Sequence, residues 1–290
     1  MEIPYKRIHV IVNPASGKNE PILNTLNDVF HPRGVEWDVS VTHKYGDARR
    51  FARQAVERGV DLVAGYGGDG TQHEVANALL GSGVPLGVLP GGTGNGFCRE
   101  MGVPQTLREA AELLVTSTRV RKVDAGRFGD EHFIQRLYTG VDPERQTSRE
   151  LKERFGVLAY VLSLRSVLGG MQRTRYRLTI DGNPVEEMAV RCYVINAAMT
   201  GKGLTIDRGI DPSDGLLDVI LLDRSVGTTV AMEKLLLDVP ARQAGFNYWR
   251  GREIVIETEA PQPIWTDGEH TGMTPVSVSV VPAALSVVVP

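Results

Sequence analysis

The sequence predicts an α/β N-terminal domain built on a parallel sheet, followed by an all-β, sandwich-like C-terminal domain. Three observations predict it. From Arg7 to about Val123, apolar strand-like runs alternate with helical patterns, the habit of a parallel sheet covered by helices. Beyond Asp124 the pattern changes to short alternating segments rich in Val, Ile and Thr, with Asp-Gly turns at 181–182, 214–215 and 267–268. The chain of 290 residues is also long enough for two cores.

In order, the strands are expected at Arg7–Val12, Glu36–Val41, Leu62–Gly65, Leu86–Leu89 and Val120–Val123. Helical spacing of Leu, Ala and Val falls between them at Pro21–Phe30, Asp47–Arg58, Gln72–Leu80 and Leu107–Thr116. The domains divide as 1–124 and 125–290, and the last strand is a candidate to return to the N-terminal domain. Two helices are expected inside the β-rich half, Glu150–Gly169 and Thr229–Leu237. The first, followed by Arg173, Arg175 and Arg177, joins an apolar face to basic charge; it reads as a helix packed on the sandwich, with a membrane-docking surface as the alternative.

A formal charge of −3 supplies no global field for nucleic acid, which is therefore not an expected partner. Cys98 and Cys192 lie far apart and form no CxxC, and no charged-then-apolar leader opens the chain, so a reducing cytoplasm is expected. Both thiols read as small buried side chains. The longest apolar runs fall short of the ~20 residues that a spanning helix needs, so any membrane contact is peripheral, at the inner face. His9 reads as a strand residue and His31, His43, His132 and His270 as loop residues, with no metal-ligand spacing.

The chemistry is concentrated in glycine turns. Gly67-Gly68-Asp69-Gly70-Thr71 lies between a strand and a helix, where unpaired amides and the peptide dipoles favour an anion and the missing Cβ atoms let a phosphate approach. Asp69 would repel that phosphate unless it met a cation or took a proton from a hydroxyl, which suggests catalysis as well as binding. Asn13-Pro14-Ala15-Ser16-Gly17-Lys18 follows the first strand without P-loop spacing, and Gly91-Gly92-Thr93-Gly94-Asn95-Gly96 follows the fourth. Ligands of open α/β sheets gather outside the carboxyl ends of the strands, so the three turns are expected to converge on one crevice. Thr93 and Asn95 offer side-chain hydrogen bonds there, and Arg99 adds charge.

Asn-Pro-x-Ser-Gly near the N-terminus, Gly-Gly-Asp-Gly-Thr-x-x-Glu-Val at 67–75, Pro-Gly-Gly-Thr-Gly-Asn at 90–95 and Asp-Gly-Glu at 267–269 together resemble the diacylglycerol kinase catalytic-domain family. That family includes soluble bacterial lipid kinases and sphingosine kinases. The resemblance implies an N-terminal domain akin to those of NAD kinase and phosphofructokinase, and a C-terminal β-sandwich. It also implies ATP and Mg²⁺ in the cleft between the domains, and phosphate transfer to a lipid hydroxyl. It assigns ATP to Thr42, to Gly67, Gly68, Asp69, Gly70, Thr71, Gln72 and His73, with Glu74 beyond, and to Gly92 and Thr93; Asn13, Ser16 and Asn95 support the phosphates. The implied Mg²⁺ site is Asp211, Asp214 and the carbonyl of Leu216, joined by Asp124 through water. Asp267 matches the proton acceptor, Glu269 would orient it, and Asp69 is the rival base.

Two departures stand out. Gly96 occupies the position where soluble bacterial diacylglycerol kinases carry Asp, and Phe133-Ile134-Gln135-Arg136 replaces Phe-x-Asn. The alternatives to a lipid kinase are a kinase for a soluble substrate such as NAD and a family member that binds nucleotide or lipid without turnover. Neither the lipid nor the oligomeric state is specified by these motifs.

Overall fold

The computed structural model describes residues 3–16, 19–140, 172–199, 205–223 and 239–290. The expected helices at Glu150–Gly169 and Thr229–Leu237 lie outside the described residues. Two compact units are present: among described residues one holds the chain through Ala125, Met199 and Pro282–Pro290, and the other holds Gly126–Ala198 and the chain onward to Val281.

The first unit opens with β1 (Arg7–Val12), α1 (Ile22–Phe30), β2 (Glu36–Val41), α2 (Asp47–Glu57), β3 (Leu62–Gly67), α3 (Asp69–Leu79), β4 (Leu86–Pro90), α4 (Gly96–Glu100), α5 (Leu107–Thr116) and β5 (Val120–Phe128). The strands lie parallel in the order β2-β1-β3-β4, with β1 pairing both β2 and β3 and β3 pairing β4. Every residue of β3 and β4 is buried, as expected of parallel strands covered on both faces. Helices α1 and α5 pack together, as do α2 and α3, burying Leu26, Val29 and Phe30 with Leu107 and Leu114, and Ala48, Ala52 and Ala55 with Val75 and Ala76.

Three boundaries differ from the sequence pattern. Helix α3 starts at Asp69 rather than Gln72, because Gly68 in extended conformation is its N-cap and the turn residues form its first turn. A 3-10 turn at His31–Arg33, closed by Gly34 at φ 70°, continues α1, so His31 is not in a loop. Strand β5 runs on to Phe128, because Gly126 lets the Phe133 ring lie against it, where a Cβ would come within 2.0 Å.

The N-terminus of α2 shows how charge holds this unit. Both main-chain amides of His43 and Lys44 donate to Asp47 Oδ2, and Arg50 donates to Oδ1 at 2.8 Å. The Arg50 bond first, and then those amides, hold the Asp47 carboxyl down at about 2, against the usual 3.8. A depressed native pKa contributes stability that is complete above the unfolded value and is lost as pH falls toward the folded one. Asp47→Asn is therefore expected to be less stable than wild type at pH 5, with the gap closing between about pH 4 and pH 2. Urea midpoints at the two ends check this; a gap that persists at pH 2 would refute it.

The second unit continues with β6 (Glu131–Phe133), β7 (Arg136–Thr139), β8 (Thr174–Ile180), β9 (Asn183–Ala189), β10 (Arg191–Ile195), β11 (Leu217–Leu222), the short α6 (Ala241–Ala244), β12 (Asn247–Gly251), β13 (Glu253–Thr258), β14 (Pro263–Thr266), β15 (Glu269–Met273) and β16 (Val276–Val288). One layer is an antiparallel sheet in the order β12-β11-β10-β7-β14-β15. The other places β13 between β8 and the start of β16, with β9 beyond β8, also antiparallel. Leu137, Cys192, Val194, Val219 and Ile264 from the first layer meet Tyr176, Leu178, Ile254, Ile256 and Val278 from the second in one buried cluster, which makes this unit a β-sandwich. Asp181-Gly182 and Asp267-Gly268, all at positive φ, are its hairpin turns, as their sequence suggests. His132 and His270 stand in β6 and β15 rather than in loops, because the turns beside them are short.

The end of β16 belongs to the first unit. Val287 pairs with Leu86 in parallel, the Val289 amide donates to the Arg119 carbonyl at 3.1 Å, and Ser117 Oγ donates to the Val289 carbonyl at 2.6 Å. Among the described residues no helix is long and apolar enough to cross a membrane.

Candidate active site

The three glycine turns of the first unit meet. Strands β1, β3 and β4 are parallel neighbours, so the turns leaving their carboxyl ends are adjacent. The Asn13 amide donates to the Tyr66 carbonyl at 2.9 Å, and Asn13 Nδ2 donates to Thr71 Oγ1 at 3.0 Å, joining the first turn to the second. The Gly91 amide donates to the Gly67 carbonyl at 3.0 Å, joining the second to the third. Here the glycines are required by packing: a Cβ on Gly92 would come within 2.5 Å of the Gly68 Cα, and one on Gly67 within 2.3 Å of Thr71 Oγ1.

Gly70 is different. It is exposed and nothing in the chain lies within 4 Å of where its Cβ would be. It sits in the first turn of the eleven-residue α3, beside Asp69 and Thr71, whose amides have no intrahelical acceptor. That helix start has no side-chain cap. Such a surface suits a phosphate, and a small residue there leaves room for one.

Asp69 turns away from its own helix. Its Oδ2 accepts the Gly96 amide at 3.1 Å and its Oδ1 the Phe97 amide at 2.9 Å. The carboxylate thus caps α4, and its charge is met by another helix start, which relieves the repulsion a phosphate on α3 would otherwise feel. Gly96, which departs from the motif, supplies one of those amides. Asp69 therefore has a positioning role in this geometry, and Asp69→Asn tests it. An Asn side chain would set an N–H against an N–H, costing about 1–3 kcal/mol. A lowered Tm with weaker phosphate binding is the expected result; an unchanged Tm would show that the carboxylate does not hold α4 in place.

Several other candidate residues brace the turns. Asn95, at φ 52°, exchanges two hydrogen bonds with Gly92, each 2.9 Å. Gln72 is buried and donates to the Gly65 carbonyl at 2.8 Å. His73 is buried beside Asn77. Glu74 Oε2 accepts the amides of Gly46, Ala48 and Arg49, so it caps α2 from outside; burial nevertheless raises its carboxyl above the ordinary range. Ser16 Oγ donates to the Asn13 carbonyl at 2.6 Å. Thr42 follows β2, its amide on the Val12 carbonyl at 2.9 Å, and Thr93 stands exposed in the third turn. Sequence reasoning missed Tyr66 and Glu20: the phenol donates to Glu20 Oε1 at 2.7 Å, and burial and then that bond raise the phenol pKa.

Asp124 is buried and accepts the Ala283 amide at 2.7 Å, so within the first unit it anchors the returning strand. Cys98 and Cys192 are both buried, and burial pushes the Cys192 thiol up.

In the second unit Asp267 accepts three main-chain amides, from Ile134 to Oδ2 at 2.9 Å and from Gln135 and Arg136 to Oδ1 at 3.1 and 2.8 Å. The departure at Phe133-Ile134-Gln135-Arg136 is thus met by main chain, which is indifferent to those side chains. Glu269 is exposed at the start of β15. Asp211 and Asp214 shape one turn: Asp211 Oδ1 accepts the Ser213 amide and Asp214 Oδ1 the Leu216 amide, each at 3.0 Å. Asp214 Oδ2 is paired with Arg250 Nη2, and Arg250 Nε lies 3.1 Å from Asp218 Oδ1. Burial raises the Asp218 carboxyl to about 6, although Tyr248 donates to it. Asp207, wholly buried, pairs with Arg242 at 3.2 Å. Asp218 was missed, although it is the one acid in the apolar run Leu217–Leu222.

Among the described residues no three or more His, Cys, Asp and Glu side chains gather as a metal cluster. The turn at 211–216 offers carboxylate and carbonyl oxygens, hard donors of the kind Mg²⁺ prefers, so the donor chemistry fits. Arg175 and Arg177 share Glu186 and Arg173 pairs with Asp223, so two acids stand against these three basic residues.

Residues 7–128 match the diacylglycerol kinase catalytic domain, and residues 135–289 match the YegS C-terminal NAD kinase beta sandwich-like domain. A diacylglycerol kinase of Mycobacterium tuberculosis is 29% identical over 301 residues, 98% of this chain and 95% of that protein. One from Staphylococcus aureus is 30% identical over 76% of this chain and 71% of its own length. The crystal structure of a diacylglycerol kinase from Bacillus anthracis superposes with a TM-score of 0.82 at 26% identity, covering 99% of this chain and 98% of that one.

Proposed function

Because the chain belongs to the diacylglycerol kinase catalytic-domain family, a family of lipid kinases, we propose that it transfers the γ-phosphoryl group of ATP to a hydroxyl of diacylglycerol, a long-chain base or a related lipid, with Mg²⁺. The observation that carries this reading is the meeting of three glycine turns around the uncapped start of α3.

Phosphoryl transfer depends on position and charge neutralisation more than on covalent chemistry. The amides of Asp69, Gly70 and Thr71 hold phosphate oxygens, with the Thr93 hydroxyl beside them. Asp69, Asn95 and Asn13 keep the three turns in register. Asp267 accepts the proton of the attacking hydroxyl; three amides, two on Oδ1 and one on Oδ2, fix its carboxylate in direction. Asp211, Asp214 and the Leu216 carbonyl would hold Mg²⁺, which would supply charge neutralisation. The lipid is reached by peripheral contact with a membrane.

The test is to incubate the purified protein with labelled ATP, Mg²⁺ and mixed micelles of diacylglycerol or extracted lipid. A phosphorylated lipid, lost on chelation with EDTA, is the expected product. One observation favours a second reading: Gly96 removes an acid that the bacterial relatives of the motif carry. Nucleotide binding without turnover on any hydroxyl lipid would establish that reading in place of the first.

A further inference from the structure

Arg250 is placed between two carboxylates of unequal burial. Its Nη2 is on Asp214, in the turn at 211–216, and its Nε is 3.1 Å from Asp218, whose side chain is 1% exposed against 26% for Asp214. Asp218 stands on β11 and Arg250 on β12, and the two residues are direct cross-strand partners, so their approach is set by the sheet register. Asp214 lies on the turn that leads into β11, outside that register. One contact is therefore built into the sandwich and the other spans from it to the exposed turn.

A buried carboxylate needs a permanent counter-charge, because an unpaired charge away from water is costly. A carboxylate on an exposed turn does not. We propose that Arg250 is a resident counter-ion that occupies Asp214 until a divalent cation arrives and then stays on Asp218 alone, so that the guanidinium and the cation compete for one carboxylate. This inference rests on the reading of 211–216 as the cation turn. The planar guanidinium of arginine suits the arrangement, since its delocalised charge lies beside Asp218 while Nη2 donates to Asp214. Its fixed place on Asp218 also means that releasing Asp214 leaves neither Asp218 nor the guanidinium without a partner. Tyr248, which donates to Asp218, keeps that half of the cluster in place.

The experiment measures Mn²⁺ affinity of the full chain, free of nucleotide, by electron paramagnetic resonance. A unit positive charge a few ångströms from a divalent ion in a water-like dielectric weakens binding about tenfold, so Arg250→Gln is expected to bind Mn²⁺ about tenfold more tightly than wild type. Arg250→Lys, a point charge that cannot span both acids, should fall between the two. Asp214→Asn should lose the site. In wild type, the Arg250 Nε–H resonance, assigned by its absence in Arg250→Lys, should move on titration with Mg²⁺, a readout that does not depend on any variant with a neutral side chain folding. If Asp214→Asn binds Mn²⁺ as well as wild type, the cation reading of the turn fails and takes the proposal with it. If Asp214→Asn loses binding while Arg250→Gln binds no more tightly and the Nε–H resonance stays fixed, the cation turn stands and the role of Arg250 is overturned.

Discussion

Replacing Gly92 by alanine is expected to abolish nucleotide binding and lower stability together, whereas Gly70→Ala should abolish binding while raising stability slightly. The new methyl at 92 would meet the Gly68 Cα at 2.5 Å, backbone against backbone, where no side-chain rotation gives relief. The second and third turns would have to part, breaking the register set by the Gly91 amide on the Gly67 carbonyl. A forced backbone shift of this kind costs about 1–3 kcal/mol. At Gly70 the methyl would enter open space, and alanine is the better helix former by about 1 kcal/mol. Its only cost is then to whatever approaches the amides of α3 from outside. Thermal unfolding and nucleotide titration of both variants check the pair. A Gly70→Ala protein that binds ATP as tightly as wild type would remove the helix start from the phosphate site.

Asp267→Asn is expected to lower kcat by about 10²–10⁴, the usual contribution of a positioned general base. The same change should cost stability, because an Asn side chain can accept at only one of its two heavy atoms. Whichever way it is placed, an N–H faces the amide of Ile134 or those of Gln135 and Arg136. The loss is about 1–3 kcal/mol per unsatisfied donor. Asp267→Glu separates the two effects, since it keeps the charge but moves the oxygens away from the three amides. Steady-state kinetics at saturating ATP and lipid, with Tm measured in parallel, reads both. A variant that unfolds earlier but turns over at the wild-type rate would reduce Asp267 to a brace of the β6–β7 segment.

Much of the first unit was legible because its signals are local. Alternating strand and helix periods located nearly every element, and a glycine run after a strand marked the second and third turns. The errors came at element ends, where capping and cross-hairpin packing decide the boundary. Helix α3 began early because Gly68 could serve as its N-cap, and β5 ran long because the Phe133 ring covers Gly126. At the candidate site the residue types were legible but their parts were not. Asn95 and Gln72 carry groups able to bind phosphate, and Glu74 an acid able to meet a cation, yet each is turned onto main chain. Nothing in the order of residues announces that Asp69 would cap α4, twenty-seven positions away. Arg250 gave no signal, because its importance lies only in which acids the β11–β12 register sets beside it.

By itself the sequence determined the two classes of unit, the order of the parallel strands' elements and the positions of the glycine turns, since each follows from short-range periodicity and backbone freedom. Only the tertiary structure decided which polar groups face outward and which are consumed in holding the turns together. The physical reason is that a buried donor or acceptor must find a partner, and that partner is chosen by the packing of segments remote in the chain.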